Sequence, residues 1–188
     1  MSTNRRRRPP RPRSTPPVHR ARNDARVPIP QGLHDRLARQ LEALTAFLDA
    51  SDAAAAEVAP ADGGWSAREN VAHLARHAHA FLARMNLILT EDRPNVGNYR
   101  PDRDPEWPDW RTLPLAEALR RLHAARAQLL VWVDGLSDEQ MRRTGRHPQF
   151  GEWDIARWLD FFLLHEAHHL YFVVRRLAEG SRRPPREA

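Results

Sequence analysis

From Leu33 onward the apolar residues of this chain recur three and four positions apart, and no stretch alternates with period two. A chain patterned that way has to build its core from helices. Leu33, Leu37, Leu41, Leu44 and Leu48 predict a first amphipathic helix over residues 31–50. An Ala-rich link follows at 52–64. Ser66-Ala-Arg-Glu69 is a capping box that opens a second helix running to about residue 89. A long connection over 91–113 carries Pro94, Pro101, Pro105 and Pro108 together with Tyr99, Trp107 and Trp110. Leu119, Leu122, Leu129, Leu130 and Val133 mark a third helix over 115–136. Ser137-Asp-Glu-Gln140 is a second capping box, for one short turn. Residues 146–153 read as a loop into the last helix, capped by Asp154 and stopped by Gly180. The expected fold is all-α: a four-helix bundle with one long connection at 91–113, no strand and no internal repeat.

The 188 residues are enough for one domain with a full core. Residues 31–180 are assigned to the bundle and 181–188 to a flexible polar tail. Residues 1–30 hold nine arginines against Asp24 alone, a balance of +8, whereas the rest of the chain sums to −2. So little apolar surface accompanies those arginines and prolines that a disordered basic tail is expected. Nucleic acid is a partner only through that tail, and no aromatic side chain is interleaved there for base stacking. The absence of cysteine excludes disulfides, Fe–S clusters, thiolate zinc sites and a nucleophilic Cys. No apolar run approaches the roughly 18 residues of a membrane span, and no secretory h-region opens the chain. The expected compartment is the cytoplasm. A homodimer is one form the chain could take, and its oligomeric state stays open at this stage.

Ten histidines are distributed unevenly over the helical faces. His165 and His169 lie four residues apart, so on a helix both imidazoles leave one face. Trp158, Phe162 and Phe172 share that sector, while His168 falls with Arg157, Asp160 and Arg175 on the solvated side. On the second helix His73 sits at the edge of the core-facing sector, with Asn70, His77 and Arg84 along the same stripe; His79 points outward. His73, His165 and His169 are therefore the predicted ligands of one divalent ion. Three neutral imidazoles with an open position suit Zn²⁺ and also Ni²⁺ or Fe²⁺. Glu166 lies toward the apolar side, where an unpaired carboxylate is costly, so it needs a partner. His147, before Pro148, could reach the mouth of the site; His34 and His123 read as solvated or packing residues. Arg84, Tyr99, Trp107 and Trp110 are candidates for lining a substrate pocket, with His77 and Glu166 supporting the ligands.

Trp65-Ser66-x-x-Glu69-x-x-x-His73, joined to a terminal helix bearing His165-x-x-x-His169, resembles the DinB superfamily. The stretch His147-Pro-x-Phe-Gly151, followed by Trp158-Leu-x-Phe-Phe-x-x-His165-Glu-x-x-His169, is similar to the DinB-like subgroup. The resemblance covers residues 33–178. It implies a four-helix bundle binding a divalent metal through His73, His165 and His169. It further implies a metal-dependent transferase that activates a low-molecular-weight thiol cosubstrate toward a small electrophile, as in detoxification. Two other readings stand beside it. One is a non-catalytic metal-binding protein associated with stress or DNA damage. The other is a zinc hydrolase using His165-Glu166-x-x-His169 with Glu166 as general base, although no histidine lies downstream to supply a third ligand.

Overall fold

Ser66 caps the helix on which the rest of the protein is assembled. The computed structural model describes residues 29–182 without residue 62. In chain order its elements are α1 Gln31–Arg39, α2 Glu42–Asp49, α3 Ala53–Glu57, α4 Ala67–Thr90, a 3₁₀ turn Pro101–Arg103, α5 Trp107–Arg111, α6 Leu115–Asp134, α7 Asp138–Met141, β1 Thr144–His147, β2 Gly151–Asp154 and α8 Ile155–Gly180. The tails expected at 1–30 and 181–188 lie outside the described residues at 1–28 and 183–188. None of the described helices is long and apolar enough to cross a membrane.

The predicted caps form. Ser66 Oγ accepts from Glu69 N at 3.2 Å, and a Glu69 carboxylate oxygen accepts from Ser66 N at 2.8 Å. Ser137 and Gln140 make the same reciprocal pair, and Asp154 accepts from Arg157 N at 2.8 Å. Each satisfies backbone donors that the first helical turn leaves open. Together α1 and α2 form the first member of the bundle, and α4, α6 and α8 form the other three.

Four expectations need correction. The single helix over 31–50 is interrupted at Gln40 and Leu41. Both keep helical dihedrals, and the lapse falls where Gln40 reaches across to α8, donating to Leu163 O at 3.0 Å. The link at 52–64 contains α3, capped by Asp52. The 91–113 connection is folded into the 3₁₀ turn and α5. Most importantly, the loop before the last helix is an antiparallel hairpin, Thr144↔Asp154 through His147↔Gly151. Its inward residues on β1 are Gly145 and His147, neither of which registers as an apolar alternation. The turn closes through Gly151 at φ +81°, a left-handed conformation that glycine adopts without penalty. Arg146 also exchanges backbone hydrogen bonds of 2.8 Å with Pro94 O and Val96 N, tying the long connection to the hairpin edge.

The apolar core divides into two clusters. One, toward the hairpin, gathers Leu37, Phe81, Met85, Leu129, Leu159 and Phe162. The other gathers Leu41, Leu44, Val71, Leu74, Trp107, Leu122 and Leu177. Gln40, in the break between α1 and α2, and polar residues from three further helices lie at the level between them: His73, His77, Arg126, His165, Glu166 and His169. At the far end α3 rests directly on the backbone of α8. A Cβ on Gly180 would stand 2.5 Å from Ala55 O, so this glycine permits a close crossing as well as ending a helix.

Candidate metal centre

His73 comes from the second turn of α4, and His165 and His169 come from successive turns of α8, which packs alongside it. His73 is 2 % exposed, and the two α8 imidazoles are partly buried. One ring nitrogen from each histidine lies within 4.8 Å of the others. The Nε2 atoms of His73 and His165 face each other at 3.3 Å. Tetrahedral coordination with Zn–N bonds of about 2.0–2.1 Å separates ligand nitrogens by about 3.3–3.4 Å, so this spacing matches a shared cation. The opposite nitrogens, Nδ1 of His73 and of His165, are buried and find no hydrogen-bond partner among the described residues.

Asn70, one turn before His73 on α4, fixes the third imidazole. Its amide nitrogen donates to Ser66 O at 2.8 Å and Trp65 O at 3.3 Å, which leaves Oδ1 as an acceptor. His169 Nδ1 lies 2.9 Å from that oxygen and must be the donor. His169 Nε2 is therefore left with its lone pair for a metal, the arrangement in which an outer hydrogen bond sets tautomer and ring orientation. Trp65 covers the group, 4.7 Å from the His73 ring and stacked on His169 at 5.9 Å. Trp107 meets His73 edge-on at 5.8 Å, and Tyr99 lies 5.7 Å from it.

A sequence profile of the DinB superfamily matches residues 36–173, a span that includes all three histidines. The chain belongs to the DinB superfamily. A "Putative metal-dependent hydrolase" of Oceanobacillus iheyensis is 31 % identical over 113 residues, 60 % of this chain and 64 % of that protein. A protein of the same name from Bacillus cereus is 28 % identical over the same length. The match thus spans a little under two thirds of these curated relatives. YfiT from Bacillus subtilis, a "probable metal-dependent hydrolase with an unusual four-helix bundle topology", superposes with a TM-score of 0.59 at 25 % identity, covering 81 % of this chain and 83 % of its own.

The electrostatics of this DinB centre favour neutral imidazoles. Burial, followed by the neighbouring His169 and His165, pushes His73 down to about 2. Burial and His168 bring His165 to about 4, and burial and His165 bring His169 to about 3. Each nitrogen is then free of a competing proton at neutral pH, as a metal ligand must be. The sign for stability follows directly. These histidines stay neutral in the folded apo-protein while the unfolded chain protonates below about pH 6.5, so the unfolded state binds more protons as pH falls. Stability present above that pH should drain away down to about pH 4 for His165 and about pH 3 for His169. Each group contributes a loss of up to about 1.4 kcal/mol per pH unit. Urea midpoints of EDTA-treated protein should accordingly drop steeply between pH 7.5 and 5; a flat profile would contradict the assigned burial.

The other candidate residues are more dispersed. His77 is buried, 4.0 Å from His165 between ring centroids and stacked on Phe162. Burial, with His165 and His73 beside it, holds its pKa well below the usual value. Arg84 sits against the Tyr99 ring, its Cζ 5.8 Å from the centroid. Trp107 flanks the histidines, whereas Trp110 packs on His79 and under Arg121. His168 is exposed. His147 is structural: its Nδ1 accepts from Gln149 N and Phe150 N, and its ring stacks on Phe150 inside the hairpin. Glu166 is 1 % exposed. One of its oxygens accepts from Gln40 Nε2 at 2.9 Å, and the other is bonded by Arg126. That engagement removes it as the base of an H-E-x-x-H hydrolase. Asn70 and Arg126 are the residues that sequence reasoning left unassigned. Asn70 lies on the histidine stripe of α4, and Arg126 interrupts the apolar series Leu122, Leu129, Val133.

Proposed function

We propose that this protein is a divalent-metal enzyme in which His73, His165 and His169 hold the ion, and that it transfers a low-molecular-weight thiol to a small electrophile. The observation that carries the reading is the 3.3 Å approach of two imidazole nitrogens beside a third whose tautomer Asn70 fixes. When bound, a zinc-like ion there supplies Lewis acidity that lowers the pKa of a coordinated thiol. The new S–C bond forms as the leaving group departs with its electron pair, and the thiol proton goes to solvent. The chain's part is to position and to exclude water. Asn70 orients His169, and Trp65, Trp107 and Tyr99 wall the histidines with aromatic surface that suits sulfur. A thiol acidified in this way needs no carboxylate base, which agrees with Glu166 being committed to Arg126 and Gln40.

Hydrolysis is the second reading, favoured by the names of the relatives, with water as the nucleophile and no role for Glu166 as base. One experiment separates the two. Zinc-loaded protein is given glutathione or cysteine with 1-chloro-2,4-dinitrobenzene, and separately p-nitrophenyl acetate without thiol. The expected result is thiol conjugation above background that EDTA abolishes. EDTA-sensitive ester cleavage with no conjugation would replace the transferase reading by the hydrolase one.

A further inference from the structure

Next to the histidines, and sharing Tyr99 with them, is a cavity of about 460 Å³ lined by Arg76, Arg84, Tyr99, Arg100, Arg103 and Asp104. Its size falls in the range of small-molecule sites. Four guanidiniums thus stand around a single carboxylate, and that carboxylate is already engaged. Asp104 takes Arg76 in a two-pronged pair at 2.7 and 3.0 Å and accepts from the Tyr99 hydroxyl at 2.8 Å. Arg100 turns to Asp102 at 2.8 Å. Among the described residues no carboxylate pairs with Arg84 or Arg103.

Arg84 is the informative member. It is half-buried, its guanidinium rests against the face of Tyr99, and burial lowers its pKa below the ordinary arginine value. A partly desolvated cation without an anion is a standing cost to the fold. Charges retained under those conditions mark functional positions. A guanidinium presents a planar fork of donors that matches carboxylate and phosphate oxygens. Tyr99 links this cavity to the centre, its ring 5.7 Å from His73 and 5.3 Å from His77.

We infer that the cavity is an oxyanion subsite, in which Arg84 and Arg103 take the carboxylate or phosphate group of a small substrate whose reacting end lies at the three histidines. The second half of this inference rests on the metal-enzyme reading; the binding half does not. The test is calorimetric titration of the full-length, metal-loaded protein with succinate and with inorganic phosphate as separate probes. Binding of either should weaken about tenfold or more in Arg84→Gln, the effect expected for a lost charge-assisted hydrogen bond. Arg103→Gln, at an exposed position, should weaken it in the same direction, and the metal content of both variants should equal wild type. His169→Ala should keep the oxyanion affinity. Equal affinity in wild type and both arginine variants would overturn the inference. So would loss of binding in His169→Ala, because the anion would then sit on the metal, leaving the metal reading intact. If wild type carries no metal yet still shows arginine-dependent binding, the subsite stands and the metal reading falls. In turnover, a carboxylate-bearing electrophile should have a lower KM than its methyl ester in wild type, and Arg84→Gln should erase the difference.

Discussion

His169→Ala is expected to leave the purified protein essentially metal-free, whereas its neighbour His168→Ala should retain about one ion per chain by elemental analysis. His169 brings a ring nitrogen within 4.8 Å of those of the other two imidazoles, and its Nδ1 is bonded to Asn70 at 2.9 Å. Losing an outer-shell partner alone typically weakens metal binding about 10–100-fold, and losing a ligand removes more. Asn70→Ala should therefore fall between wild type and His169→Ala in affinity. His168, although adjacent in sequence, is turned about 100° away from His169 around α8 and is exposed to solvent. Metal loss from His168→Ala with retention in His169→Ala would invert the helical register on which the centre depends.

The second large effect is on stability. Glu166→Ala should destabilise the protein by about 3–5 kcal/mol, because it strands the buried guanidinium of Arg126 in the core. At roughly 2–4 °C per kcal/mol for a domain of this size, Tm should fall by about 10 °C. The double variant Glu166→Leu with Arg126→Met should recover most of that loss, since removing both charges leaves nothing unpaired. Thermal unfolding of the three proteins decides it. A Glu166→Ala protein of unchanged Tm that has lost catalysis would restore Glu166 as a chemical residue and overturn its assignment to the core.

Much of this was legible because helices announce themselves. The leucine periodicity of α1, α2 and α6 and the boxes at Ser66 and Ser137 are local signals, and the structure forms all of them. The facing of His165 and His169 follows from 3.6 residues per turn, and His73 from its place on the stripe of α4. The hairpin was not legible. β1 buries a glycine and a histidine, so its inward face carries no apolar signature, and its edge is satisfied by Pro94 and Val96 from a segment some fifty residues upstream. Arg126 could have been found: it lies in line with Leu122, Leu129 and Val133, and Glu166 lacked a partner. What periodicity could not supply was the distance between the two, because that depends on how α6 and α8 cross. The same holds for Asn70, whose role appears only once α8 lies beside it.

The polar belt between the two apolar clusters has a mechanical consequence. Leucine-on-leucine packing alone tolerates sliding, since a helix moved along its axis by one turn, about 5.4 Å, meets similar neighbours. Here that slip would carry Glu166 past Arg126 and Gln40, and His169 past Asn70, leaving charges and amides stranded in hydrocarbon. The belt therefore acts as an indexing notch: it admits one axial setting of α8 against α1, α4 and α6. The imidazoles of α8 inherit their alignment with His73 from that setting before any ion arrives.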